Sequence, residues 1–248
     1  MPSTKARQRH KKRKAQEKRD KVQKKRMKLS FEALLDTTVK IKVGLEQFCF
    51  EVHKGLLSHY SSYFRAALSG PFKEGNEGVI ILETEEVEVF RVFFKWLYKD
   101  VTTDCETTPS ALDTDIEFLQ LLKLYVFSDK RGIPRLGNAV LITMREKFQA
   151  SESSIQEYFV KSPKLVEWSY KYVRKGLPLH AFLVDTFAFK IDDVKLFQPD
   201  KYPQDFICAV LKKIFEGWRT HTIAHCYPDP FKPGSVSKYM ISEGSLEK

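Results

Sequence analysis

Between residues 48 and 67 the spacing of apolar side chains changes from two to between three and four. That change dictates a strand that runs directly into helix. Phe48, Phe50 and Val52 alternate with Cys49 and Glu51, the period of a strand with one buried face. From Leu56 onward the apolar positions are Leu56, Tyr60, Tyr63, Phe64 and Ala67, a stripe along one side of a helix. Ser58 and Ser61 each carry a hydroxyl suited to a helix start, so the stripe reads as two short helices in succession. Gly70 followed by Pro71 stops the second.

The flanks extend this corner into a small sheet and a set of helices. Val39, Ile41 and Val43 alternate with Lys40 and Lys42, a strand with one wet face. Residues 44–47 are a turn, and the strand at residues 48–52 returns as the second arm of a hairpin. After a polar, Gly-rich stretch, Val79, Ile80, Ile81 and Leu82 form a short uninterrupted apolar run, which predicts a buried or central strand. Val87, Phe90, Phe93, Phe94, Leu97 and Tyr98 give a wide helical stripe that ends at Lys99 and Asp100. Residues 100–113 read as an exposed Thr-rich loop. Thr114 and Glu117 have capping-box spacing and predict the start of a helix with Ile116, Leu119, Leu122 and Val126 on one face. Gly132 ends that helix and Pro134 opens the next.

The corner resembles the centre of the BTB/POZ family, whose core reads as an aromatic, a small apolar residue, His-Lys/Arg, two leucines and Ser-x-Tyr-Phe. Phe50, Val52, His53, Lys54, Leu56, Leu57, Ser61, Tyr63 and Phe64 stand at those positions. A second stretch about seventy residues on is similar too, with a Leu-rich helix at residues 121–127, then Ser128-Asp129-Lys130 and Gly132-Ile133. Farther along, Leu179, Leu183, Val184 and Asp185 match a segment that recurs in fungal members, with His180 where Arg is common. The resemblance implies an α+β fold, a small sheet flanked by helices, over residues 34–148. A helical carboxy-terminal extension is expected at residues 151–225 and a loosely ordered tail, interrupted by Pro228, Pro230 and Pro233, at residues 226–248.

Charge divides the chain differently. Residues 1–30 hold 14 Lys and Arg against Glu17 and Asp20, a net +12, so the rest of the chain carries −2 of the formal +10. With so few apolar residues this arm cannot offset its own chain entropy and reads as disordered. Its two clusters, Lys11-Lys12-Arg13-Lys14 and Lys24-Lys25-Arg26 with Lys28, resemble a bipartite nuclear-import signal. The same clusters suit weak, nonspecific nucleic-acid contact through counterion release. No aromatics interleave them, so base stacking is not indicated. The expected location is nuclear or cytoplasmic, with the arm favouring the nucleus. The four scattered cysteines form no CxxC pair and suit a reducing compartment. No uncharged apolar run reaches the length of a membrane span.

No phosphate-binding loop, nucleophile elbow or HExxH signature is present, so the expectation is a non-catalytic protein without cofactor or metal. His53, at a strand–helix junction, is expected to fix local backbone through its ring. His221 and His225 beside Cys226 have helical spacing but lack the second pair that structural zinc sites show. Phe72, Lys73 and Glu74 are the partner-binding candidates. They precede the strand at residues 79–82, where family adaptors for cullin ubiquitin ligases carry an apolar-x-Glu signature. An exposed Phe72 would anchor in a partner's pocket; folded back, it would instead be a lid on the helix pair. Glu51 stands where co-repressor-recruiting members place a basic residue, which argues against that chemistry. Two functions follow from the resemblance and the arm: a protein–protein adaptor recruiting a cullin ubiquitin ligase, or a nuclear nucleic-acid-associated factor. Relatives often form homodimers through an amino-terminal strand and helix, and here the charged arm occupies that region.

Overall fold

The computed structural model describes residues 37–70, 73–103, 108–150, 163–190, 199–219 and 235–242. It opens with a hairpin of β1 (Thr38–Val43) and β2 (Phe48–His53), paired antiparallel with Val39 opposite Val52 and Ile41 opposite Phe50. The turn between them needs positive φ at Gly44 (+74°) and Gln47 (+52°). β2 passes without a gap into α1 (Lys54–Tyr60) and then α2 (Ser62–Ser69). A short α3 (Lys73–Glu77) leads to β3 (Val79–Leu82), which returns parallel to β1.

The sheet order is β2-β1-β3, so β3 is an edge strand and not a central one. Its apolar run misled because only one face is covered: Ile80 and Leu82 point into the core while Ile81 is half exposed. Phe48 is likewise exposed at the start of β2, where the Arg91 guanidinium lies 5.1 Å from its ring centroid.

Helices cover the inner face. α4 (Val87–Thr102) presents Phe90, Phe93, Trp96 and Leu97, all buried. α5 (Phe118–Lys130) and α6 (Pro134–Ala150) follow as an antiparallel pair around the turn at Gly132. The capping box is a correction. α5 starts at Phe118 after Glu117, whose side chain makes no cap, and Thr114 lies in a preceding turn where its carbonyl accepts from Lys147.

The carboxy-terminal half adds α7 (Pro163–Tyr172), α8 (Pro178–Lys190), a 3-10 turn (Pro199–Lys201), α9 (Gln204–Arg219) and a last 3-10 turn (Ser235–Tyr239). One hydrophobic cluster runs from Val39 in β1 through Phe127 and Phe148 to Phe182, Phe206 and Tyr239. The extension therefore shares a core with the sheet-and-helix part. At roughly 1.5–3 kcal/mol per large buried apolar side chain, that shared core resists separation of the two halves.

Candidate protein-interaction surface

The corner is fixed from below. Leu56, Leu57 and Phe64 have no exposed surface, and Phe50 and Val52 lie in the same cluster. Ser61, also fully buried, sits between α1 and α2 and does two jobs. Its hydroxyl accepts from the Phe64 amide at 3.0 Å, capping α2, and donates to the Arg131 carbonyl, which belongs to the turn after α5. The Ser62 amide donates to the Gly132 carbonyl at 3.2 Å. The two stretches that the sequence singled out thus meet at this junction. Ser58 is not a cap: it lies inside α1.

Gly132 is required there. Its φ is +59°, and a Cβ on it would stand 2.0 Å from the Ser62 hydroxyl. On the outer side, Arg131 stacks over the Tyr63 ring at 4.5 Å and pairs with Glu85 at 2.7 Å. Tyr63 is the one member of the corner pattern that reaches solvent to any extent beyond the half-buried His53 and Lys54. His53 fixes its surroundings by a different route from the one expected. Its Nδ1 shares a 2.8 Å hydrogen bond with the Tyr98 hydroxyl, a side chain on α4, and makes no helix cap.

A buried charge network that the sequence did not reveal ties the corner to α4 and α6. Asp100, on α4, accepts from the Tyr60 hydroxyl at 2.9 Å, from the Ser110 amide at 2.6 Å and from Arg135 Nε at 2.5 Å. The Asp100 carboxylate is fully buried. Burial, then the neighbouring Asp100 charge, pushes the Tyr60 phenol well above its ordinary range. Burial, reinforced by Arg65 and Arg135, pushes the His59 ring below its ordinary value, so it stays neutral near pH 7.

The loop after α2 carries the partner-binding candidates. Lys73 and Glu74 open α3, with the half-buried Glu74 in its first turn; Phe72 lies outside the described residues. α3 is held close to the end of α2, where the Gly75 Cβ position lies 3.1 Å from the Gly70 carbonyl. The Gly78 amide donates to the Glu74 carbonyl at 3.0 Å and hands the chain to β3. The basic residues Lys11, Lys12, Arg13, Lys14, Lys24, Lys25, Arg26 and Lys28 lie outside the described residues, as do His221, His225 and Cys226.

An open cleft of about 330 Å³ lies against α7, α8 and α9, lined by Tyr170, His180, Asp185, Lys212 and Lys213. Burial pushes the Tyr170 phenol up to about 12 and the His180 ring below its ordinary value. His180 Nε2 lies 3.2 Å from the Ser169 carbonyl. Among the described residues no helix is long and apolar enough to cross a membrane.

No curated protein matches the chain. The BTB/POZ domain family model matches residues 27–127, a stretch that begins ahead of β1 and ends inside α5. It contains the hairpin, the corner, α3, β3 and α4. Domains of this family are generally non-catalytic modules for protein–protein interaction and dimerisation. Residues 27–127, with their three-stranded sheet and enclosing helices, are a BTB/POZ domain, and the chain carries it with further helices packed behind.

Proposed function

We propose that this protein is an adaptor of the fungal BTB type that docks a cullin ubiquitin ligase through Phe72, Lys73 and Glu74. The observation that carries the reading is the setting of Glu74. It stands in the first turn of a short helix between α2 and β3 that is held against the end of α2 and closed by the Gly78 amide on the Glu74 carbonyl, so a partner would meet it with little ordering cost. An aromatic anchor beside a carboxylate supplies both halves of a docking contact, apolar burial and charge-assisted hydrogen bonding. The helices behind the domain are then the side that holds the protein to be modified.

The test is a pull-down with the full chain as bait. The wild type recovers a cullin, and Phe72→Ala with Glu74→Ala loses it while circular dichroism stays unchanged. Equal recovery by both refutes the reading.

A second reading rests on the arm, whose +12 over 30 residues dwarfs the charge of the remainder. It makes the protein a nuclear factor that touches nucleic acid. Neutralising about 6–10 phosphates costs roughly 10³–10⁵ in affinity between 50 and 200 mM salt. Removing residues 1–29 should abolish that dependence; binding that ignores salt refutes this reading.

A further inference from the structure

The hairpin leaves one edge of the sheet open. β2 is an outermost strand, and among the described residues only β1 pairs with it. The Lys54 amide donates to the Thr37 carbonyl at 2.7 Å. The hydrogen-bonded pairs of the ladder that follow from it are Val39 with Val52, Ile41 with Phe50 and Val43 with Phe48. The backbone groups of Cys49, Glu51 and His53 therefore point away from β1. The His53 amide is taken by the Tyr98 hydroxyl at 3.4 Å. The N–H and C=O groups of Cys49 and Glu51 have no partner.

Side chains border this edge on both faces. On the inner side Phe48 is 45% exposed, with its ring 5.0 Å from that of Phe50. Half-buried Phe94 and Tyr98 of α4 continue the aromatic row. On the outer side Cys49 and Glu51 are exposed, opposite Lys42 and Lys40 of β1. A strand edge with free backbone groups and apolar rings beside it is a template for another strand.

A second copy of the same strand fits it in one register. Only a register that brings outward groups to outward groups can form the ladder. A two-fold axis at Phe50 sets Cys49 opposite Glu51 of the second copy, and Glu51 opposite its Cys49. Every free group of both residues is then paired, and no like charges meet. Phe48 meets Val52 of the second copy on the inner side, which covers its exposed ring. An axis at Glu51 or beyond calls on the His53 amide, which Tyr98 holds, and an axis at Glu51 itself also opposes two carboxylates. An axis at Cys49 sets Glu51 against Gln47, where a φ of +52° has already turned the chain out of the strand.

We propose that β2 is a self-association edge, through which two copies of this chain join their sheets antiparallel into one. It is a different surface from the amino-terminal strand and helix of the relatives. It uses neither the loop after α2 nor the arm, so its failure leaves the cullin reading standing.

The experiment is sedimentation equilibrium of the full chain under reducing conditions. The mass rises with concentration from 28.9 kDa toward that of a dimer. Glu51→Pro removes an outward N–H and spares the ladder to β1, so it weakens association by at least about tenfold at unchanged circular dichroism. Cys49→Glu, on an exposed side chain, opposes carboxylates twice across the seam and weakens association as well; adding Glu51→Lys restores it. Under mild oxidation Glu51→Cys gives a disulfide-linked dimer whose bridge joins position 49 of one chain to position 51 of the other, since opposite Cα atoms lie about 5.5 Å apart. A wild type still monomeric at about 0.5 mM overturns the proposal. So does association that Cys49→Glu leaves unchanged, or an oxidised dimer without that bridge. If Glu51→Pro does not fold, the loss with Cys49→Glu and the recovery with Glu51→Lys decide.

Discussion

Replacing Asp100 with alanine should be among the most damaging single changes in the domain. Its carboxylate is the common acceptor for α1, the loop at Ser110 and α6. Removing it takes the shared acceptor from three donors, one of them the Arg135 guanidinium, whose side chain is 12% exposed and keeps the Thr108 carbonyl at 3.2 Å but loses its carboxylate. Loss of one partner of a buried ion pair costs about 3–5 kcal/mol, mostly from the uncompensated charge left behind. With a urea slope of about 1–3 kcal/mol/M, the midpoint should fall by roughly 2 M. The loop should loosen as well, because the Ser110 carbonyl also accepts from Trp96 Nε1 at 2.9 Å. Tryptophan emission should therefore shift to the red in Asp100→Ala before the main transition. The double change Asp100→Leu with Arg135→Met removes both charges and should recover most of the loss. A double-mutant cycle should give a coupling of about 1–3 kcal/mol. A loss under about 1 kcal/mol, or strictly additive single changes, would show that the network does not hold the corner to α4 and α6.

Two further outcomes follow from the same geometry. Gly132→Ala forces a side chain into left-handed backbone and against the Ser62 hydroxyl, so it should cost about 1–3 kcal/mol by urea denaturation; a neutral result would refute the close junction between α2 and the turn after α5. Burial pushes the Asp185 carboxyl up, but hydrogen bonds from Lys213, Lys238 and Tyr239 outweigh it and hold the carboxyl below its ordinary value of 3.8. A depressed acid stabilises the fold above its unfolded pKa and loses that contribution as pH falls through the folded one. Asp185→Asn should therefore melt below wild type near neutral pH, with the gap closing as pH drops from about 4 toward 2; a gap independent of pH would contradict this.

The corner was legible because period alone locates it: a step of two gives way to steps of three and four at His53, and both helices lie where that pattern puts them. Gly132 and Pro134 were legible for the same local reason. What failed depended on partners far away in sequence. The run at residues 79–82 could not declare that β1 would take the centre of the sheet. Thr114 had cap spacing, but it lies in a separate turn and the helix starts only at Phe118. Asp100 looked like the polar end of a stripe, and Asn138, whose side chain pairs with the Ile241 backbone, stood in the second stretch of family resemblance with no partner to be read from it. Each gained its role from residues up to 103 positions away. A single signal hinted at Asn138: an amide between Gly137 and a run of buried apolar residues, where a polar side chain must find partners.

The most direct test of the account is a calorimetric titration of the purified full chain with the purified amino-terminal domain of a cullin. The account predicts saturable binding at one cullin per chain, abolished by Phe72→Ala with Glu74→Ala at an unchanged melting temperature. No heat of binding with the folded wild type, or equal binding by the variant, would contradict it.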